Sequence, residues 1–585
     1  MVRSKKKIKK PKTKIIPTIL IILVIFAIIC IPITTKEHTQ KLKNNYQNMY
    51  ISGDVTSVKL YKLVQDENSS KLVEEKEISR GTEVKDTKKQ VTHEEQTYNN
   101  IIIDDEKYYV AEENLSKTKE DIVKEEYIYI RSATTILENN KDIKISGLAK
   151  KGDKLEVIGY DYLDEEGNVN SYKIKINDTE GYVYGKYTTT KEEDALKNYL
   201  ADQYDPIHSK IKNLYNGGEA IKLDFYPNEK PKFKNNVMPD SVYALYLNCG
   251  SNTINNIDSY IEFAKTTKIN AFVIDIKDNE SPAYPAETFK TLSPTNYEHA
   301  INSYDSYKNA IQKLKDAGFY VIGRITVFKD SFYVKDHPED AIMNKDTSSP
   351  YLHNGSYWPS AYDRDVWYFN VSLAQEAVQE FGFNEINFDY VRFPDRMNSV
   401  KNIVDLKNTY EEDKVEAIQR FVQYAKDVLH NVEAYISIDV FGETTNSTYT
   451  TAYGQYWPAI SNEADVISGM PYPDHFAAGS YGIAKPWNNP YQLMKYWGSY
   501  AYDRQQEIPT PAVVRTWIQA YDVMKYVDSN GISYGAAEVE SEIRGLYDSG
   551  LTGGYITWLS NSNLEKYKTQ ISAFKIDYGK EYTNE

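Results

Sequence analysis

The sequence predicts an α/β protein: a (β/α)8 barrel preceded by one or two small all-β domains and an N-terminal membrane-spanning helix. Three observations carry this reading. From Val242 onward, near-continuous apolar runs alternate with helical patterns. From about residue 45 to 189 the chain is short alternating strands with an internal repeat. Residues 15–33, IIPTILIILVIFAIICIPI, carry no charge at all.

The apolar stretch spans roughly 28 Å as a helix, about one hydrocarbon core. Residues 1–14 before it hold eight Lys or Arg and no acid. Such a flank stays in the cytoplasm, so a single-pass cell-membrane protein with everything after residue 34 outside is expected. A cleaved signal peptide is the rival, but the run is long for one and no small-x-small site follows.

The net charge of −15 argues against a nucleic-acid partner. The two cysteines cannot form a disulfide framework; Cys30 and Cys249 read as packing residues. Tyr is abundant at 52 residues, which suits carbohydrate contact or reflects plain compositional bias.

The repeat pairs ISRGTEVK…YNNIIIDDEKYYVAEENL with LAKKGDKLEVIG…YKIKINDTEGYVYGKYT, each a Gly turn followed by alternating strands and an aromatic strand. The second copy, 124–189, with YIYIRSATTI, KKGDKLEVIG and EGYVYGKYT, resembles bacterial SH3 domains. The first, 45–118, lacks the Arg-Ser opening and the final Gly-Tyr. The resemblance implies attachment to peptidoglycan or another wall polymer; a plain spacer is the alternative. Residues 190–240 read as a Pro-punctuated linker, 241–577 as the barrel and 578–585 as a tail.

Eight runs supply the barrel strands: 242–248, 271–278, 320–328, 385–393, 434–442, 465–473, 512–519 and 553–560. Helical patterns at 307–318, 369–382 and 414–430 lie between them. No Gly-rich phosphate loop follows the first strand, and no cofactor is expected.

In such a barrel, polar residues near the C-terminal strand ends share one mouth. Strand two ends in Asp275, Lys277 and Asp278; strand three carries Arg324; strand four carries Asp389 and Arg392. Strand five has Asp439 followed by Glu443, strand six runs into Asp474 and His475, strand seven carries Arg515, Trp517 and Gln519, and strand eight Trp558. Period two turns Asp389 and Asp439 toward the barrel axis. Arg392 is expected over the mouth, pairing with a carboxylate or a substrate oxygen. Unpaired buried charges cost several kcal/mol, so this concentration marks a site. Two carboxylates with aromatic platforms suit glycosidic cleavage. Asp389 with Asp439 is the first pair, with Glu443 and Asp474 as alternative acids. A metal site is not expected, because His475 has no second His at ligand spacing.

FVIDIKD, KLKDAGFYVIGRITVFKD, HPEDAI, WYFNVSLAQEAVQEFGFNEINFDYVRFPD, MPYPDHF and VVRTWIQAY together resemble a family of glycosyl hydrolase domains of bacterial secreted and membrane-anchored proteins. That family is distantly similar to α-amylase and α-galactosidase barrels, which implies a nucleophile at Asp389 and an acid from strand five or six. Asp474 stands where the family has Ser, and Thr516 where it has Pro. The expected function is a membrane-anchored, extracytoplasmic glycoside hydrolase of a cell-wall, capsule or environmental polysaccharide. The alternatives are a non-catalytic carbohydrate-binding or wall-organising protein and an enzyme modifying polysaccharide by other chemistry.

Overall fold

A computed structural model describes residues 46–66, 69–176, 179–446 and 448–583. The basic segment 1–14 and the expected membrane helix 15–33 lie outside the described residues. Among the described residues, no helix is long and apolar enough to cross a membrane. The chain forms two compact units, one running to Glu126 and including Ile158–Tyr172, the other holding Tyr127–Val157 and Lys173–Glu585.

The repeat seen in the sequence has a structural counterpart. Residues 47–116 form a seven-stranded antiparallel sheet, and residues 127–189 form another. Numbered from its own first strand, each sheet has the order 3-2-6-5-4-1-7, and in each a 3-10 turn precedes the last strand. The two Gly turns correspond as well: Gly81 and Gly152 sit at φ 89° and 88°, backbone that a Cβ would strain.

The large domain is built on a nearly closed parallel sheet. Its strands are β1 (Val242–Leu247), β2 (Ala271–Asp278), β3 (Tyr320–Thr326), β4 (Glu385–Asp389), β5 (Tyr435–Phe441) and β6 (Val466–Met470). β7 comes in two pieces, Val513–Val514 and Thr516–Gln519, and β8 is Gly554–Trp558. Each strand pairs in parallel with the next, and β8 returns to β1. The first piece of β7 pairs with β6 and the second with β8, so only Arg515 interrupts the ring. This is a TIM-like barrel, reached because strands buried on both faces can be apolar throughout.

Helices follow the strands for local reasons. The long helix Arg364–Phe381 ends at Gly382, in left-handed backbone at φ 68°. The helix Lys414–His430 opens on a capping box between Asp413 and Glu416. The lumen holds its own apolar cluster, including Ala244, Val273, Ile322, Trp517 and Ile556, which separates the two barrel ends.

Residues 190–240 are not a free linker. Asn236 Nδ2 donates to the carbonyls of Asn384 and Glu433 at 2.8 and 2.7 Å, and Phe233 packs on Tyr435 at 4.9 Å between ring centroids. This segment closes the N-terminal end of the barrel. The stretch read as a tail from 578 forms a helix, Tyr578–Thr583, whose buried Tyr578 packs against Tyr547 and Tyr555.

Candidate active site

The C-terminal strand ends bring one connected polar cluster into the mouth. Arg324 on β3 is its hub: Nη1 donates to Asp275 Oδ1 at 2.7 Å and Nη2 to Asp389 Oδ2 at 2.7 Å. Asp278 stands at 3.3 Å from the same guanidinium. Tyr246 at the end of β1 donates its hydroxyl to Asp275 Oδ2 at 2.5 Å. Burial pushes the Asp275 carboxyl up to about 7, against the opposing pull of Arg324.

Asp439 on β5 is the deeper carboxylate, at 1% exposure. Its Oδ1 accepts from Asn387 Nδ2 and from Trp517 Nε1, both at 2.8 Å. Its Oδ2 has no partner among the described residues. Burial, with the nearby Asp389 charge adding to it, pushes this carboxyl well above the usual carboxylate range. Trp517 and Trp558 meet edge to face at 5.6 Å, and Trp558, partly exposed, lies 5.4 Å from the Arg324 guanidinium. Asp275, Arg324, Asp389, Asp439, Trp517 and Trp558 are therefore brought together.

Other expected site residues are placed elsewhere. Arg515 lies at the floor, where Nη1 donates to Glu385 Oε1 and Oε2 at 2.7 and 2.9 Å with both side chains fully buried. Tyr320 adds a hydroxyl to Glu385 at 3.0 Å, and Met238 covers Arg515 Nη2. Arg515 sits near the start of its strand, so its side chain falls on the opposite end of the lumen from the mouth.

Lys277 also leaves the cluster. The β2–β3 ladder slips between Asp275 and Lys277, two residues opposing one. The extra residue turns Lys277 into the helix layer, where Nζ pairs with Asp330 at 2.7 Å beside the Phe369 ring. Asp474 and Gln519 form a loop tie: the Asp474 amide donates to Gln519 Oε1, and Tyr521 and Met524 donate to the Asp474 carboxylate. With its oxygens so held, Asp474 is not poised as an acid. His475 is exposed beside this tie.

Glu443 is the one exposed residue of the otherwise buried 3-10 turn after β5, accepting from the Tyr453 hydroxyl. Arg392 is 8% exposed and makes no carboxylate pair among the described residues. Its guanidinium lies 4.5, 4.9 and 5.1 Å from the Phe441, Tyr390 and Trp358 rings. The sequence reading ran β4 on to Phe393, whereas the strand stops at Asp389 and Tyr390 takes φ 54°. A left-handed Tyr costs about 1–3 kcal/mol and breaks the alternation.

Sequence reasoning missed Tyr246, which shares the period-two face of Ala244 and was findable on that ground.

The chain thus has a parallel barrel with ion-paired and buried carboxylates at one mouth, the end where such barrels carry their sites. Residues 242–564, more than half of the chain, match the family described as "Putative glycosyl hydrolase domain", and the protein belongs to that family. No curated protein matches the chain. Among solved structures, a hypothetical protein from Ruminiclostridium thermocellum is 28% identical, over 34% of this chain and 97% of its own, at a TM-score of 0.28. The PgaB (BpsB) glycoside hydrolase domain from Bordetella bronchiseptica is 11% identical over 58% and 99%, at 0.41. The Bacillus cereus spore cortex-lytic enzyme SleL is 12% identical over 59% and 77%, at 0.35.

Proposed function

We propose that the barrel is a glycoside hydrolase that cleaves glycosidic bonds of an extracytoplasmic polysaccharide with two carboxyl groups. One observation carries this: Asp389 is ion-paired to Arg324, while its neighbour Asp439 is buried with an unpartnered Oδ2 and its carboxyl pushed up. Two carboxyls whose environments diverge in this way can divide the roles of nucleophile and acid.

In this reading Asp389 Oδ attacks the anomeric carbon as the bond to the leaving oxygen breaks. Asp439 gives its proton to that oxygen. Water, deprotonated by the Asp439 carboxylate, then releases the sugar from Asp389. Arg324 orients Asp389, and Asn387 and Trp517 orient Asp439. Because Asp439 is so deeply buried, the exposed Glu443 on the turn after β5 is the alternative acid.

Location follows from the sequence: basic residues 1–14 and the uncharged 15–33 support a single-pass anchor with the folded domains outside. The two seven-stranded sheets support SH3-like domains that hold the barrel at a wall polymer such as peptidoglycan.

The test is reducing-end release by the full chain on a polysaccharide panel, beside Asp389→Asn. The substitution should abolish turnover and leave binding. Equal cleavage by the variant overturns the nucleophile; binding without cleavage by either chain turns the reading to a carbohydrate-binding protein.

A further inference from the structure

The mouth carries a second charge pattern that cleavage does not use. Arg324, Arg515 and Arg364 are buried guanidiniums, and each meets a carboxylate within 2.7 Å. Arg392 is also more than nine-tenths buried, yet its one acceptor among the described residues is the Phe393 carbonyl, at 3.1 Å from Nη1. Arg504 shares this lack, but it belongs to the contact between the helix Pro490–Gln506 and Tyr456, not to the strand ends.

A second cation stands beside Arg392. Lys329, half-buried just after β3, lies 5.1 Å from the Tyr390 ring, which Arg392 approaches at 4.9 Å. Lys329 too has no carboxylate partner among the described residues. The two positive charges thus share one ring and repel each other. Burial, and for Lys329 also the Arg392 charge, pulls both below their usual ranges.

Of the carboxylates nearby, only Glu280, whose charge acts on Lys329, is without an ion pair among the described residues, and it makes none with Lys329 either. Asp389 and Asp278 face Arg324, and Asp395 reaches His353 and Arg396. Desolvated like charges without a counter-ion persist where a ligand supplies one. A guanidinium held among three rings keeps N–H groups to donate in its planar fork, the geometry that suits a planar or tetrahedral oxyanion.

Building on the hydrolase reading, we propose that Arg392 and Lys329 bind an anionic substituent of the sugar next to the scissile bond, so the substrate is an acidic polysaccharide. Its charge is a carboxylate or a phosphate; a neutral glycan leaves the two cations uncompensated. The chain's net charge of −15 offers no long-range attraction to such a polymer, so recognition falls on this short-range pair.

The test measures binding of the full chain carrying Asp389→Asn to polygalacturonate, poly(glycerol phosphate) and dextran by affinity electrophoresis, with each melting temperature recorded. At least one anionic polymer should bind about 10-fold or more tighter than dextran, and which one names the charge. Lys329→Gln should weaken that binding about 3- to 10-fold and Arg392→Gln at least about 10-fold, with Arg392→Lys retaining part. Should Arg392→Gln not fold, Lys329→Gln decides. Dextran binding as tightly as the anionic polymers, no binding at all, or an unchanged affinity in Lys329→Gln overturns the proposal. Its failure is distinguishable from that of the hydrolase reading. Cleavage of a neutral glycan without preference removes the anionic pocket alone; anionic binding with no glycan cleaved removes the hydrolase alone.

Discussion

The two ends of the barrel lumen use the same chemistry to opposite effect. At the floor, Arg515 and Glu385 form one closed, fully buried pair, with Tyr320 and Met238 completing the shell. At the mouth, Arg324 serves three carboxylates, while Arg392 and Lys329 pair with none among the described residues. β3 and β4 each carry both arrangements, Tyr320 and Glu385 at their starts and Arg324 and Asp389 towards their ends. A balanced pair holds structure together; an unbalanced set of charges is held ready for something else.

Breaking the floor should give the largest effect on stability. Arg515→Met leaves Glu385 a buried charge with only the Tyr320 hydroxyl beside it, and about 3–5 kcal/mol should be lost in urea unfolding. Adding Glu385→Gln should recover most of it, because neither partner is then a stranded charge.

The mouth should respond the other way. Asp389→Asn should lower kcat by about 10^3-fold and cost only about 1 kcal/mol of stability, because Arg324 keeps Asp275 and Asp278. Initial rates and unfolding midpoints on the same preparations check both halves. A large loss of stability would make Asp389 another floor-type residue.

The pH dependence sharpens the contrast. Asp275 has a folded value raised to about 7, above the ordinary Asp value of about 3.9. Its contribution is therefore complete below about pH 4 and is lost as pH rises toward 7, the folded state binding the extra proton. Melting temperature should fall across that window, and Asp275→Asn should flatten the fall.

The smallest expected effect separates the two acids. With Asp439 as the proton donor, Glu443→Gln should change kcat by less than about 10-fold while Asp439→Asn costs about 10^2-fold or more. The reverse ranking moves the acid to Glu443.

Much of this was legible in the residues because the physics is local. Strands covered on both faces read as unbroken apolar runs, and all eight were placed within a few residues, β4 excepted. Asp389 and Asp439 were turned inward correctly by alternation alone. What failed was whatever breaks that alternation. The bulge after Asp275 redirects Lys277, and no Gly announces it. The floor position of Arg515 depends on where along a tilted strand the lumen is plugged, which sequence spacing does not encode. The loop tie that holds Asp474 is made by Gln519 and Tyr521, partners 45 and 47 residues away.

The left-handed turn at Tyr390 has a further consequence. Asp389 still belongs to the sheet, its carbonyl accepting from the Val327 amide at 2.9 Å. Arg392, three residues later, belongs to the loop beyond it. The reactivity proposed for Asp389 and the selectivity proposed for Arg392 thus sit on either side of one left-handed residue and could be inherited separately. A lineage can rewrite the loop after Tyr390 to accept a different polymer while the reacting carboxylate keeps its place in the ladder.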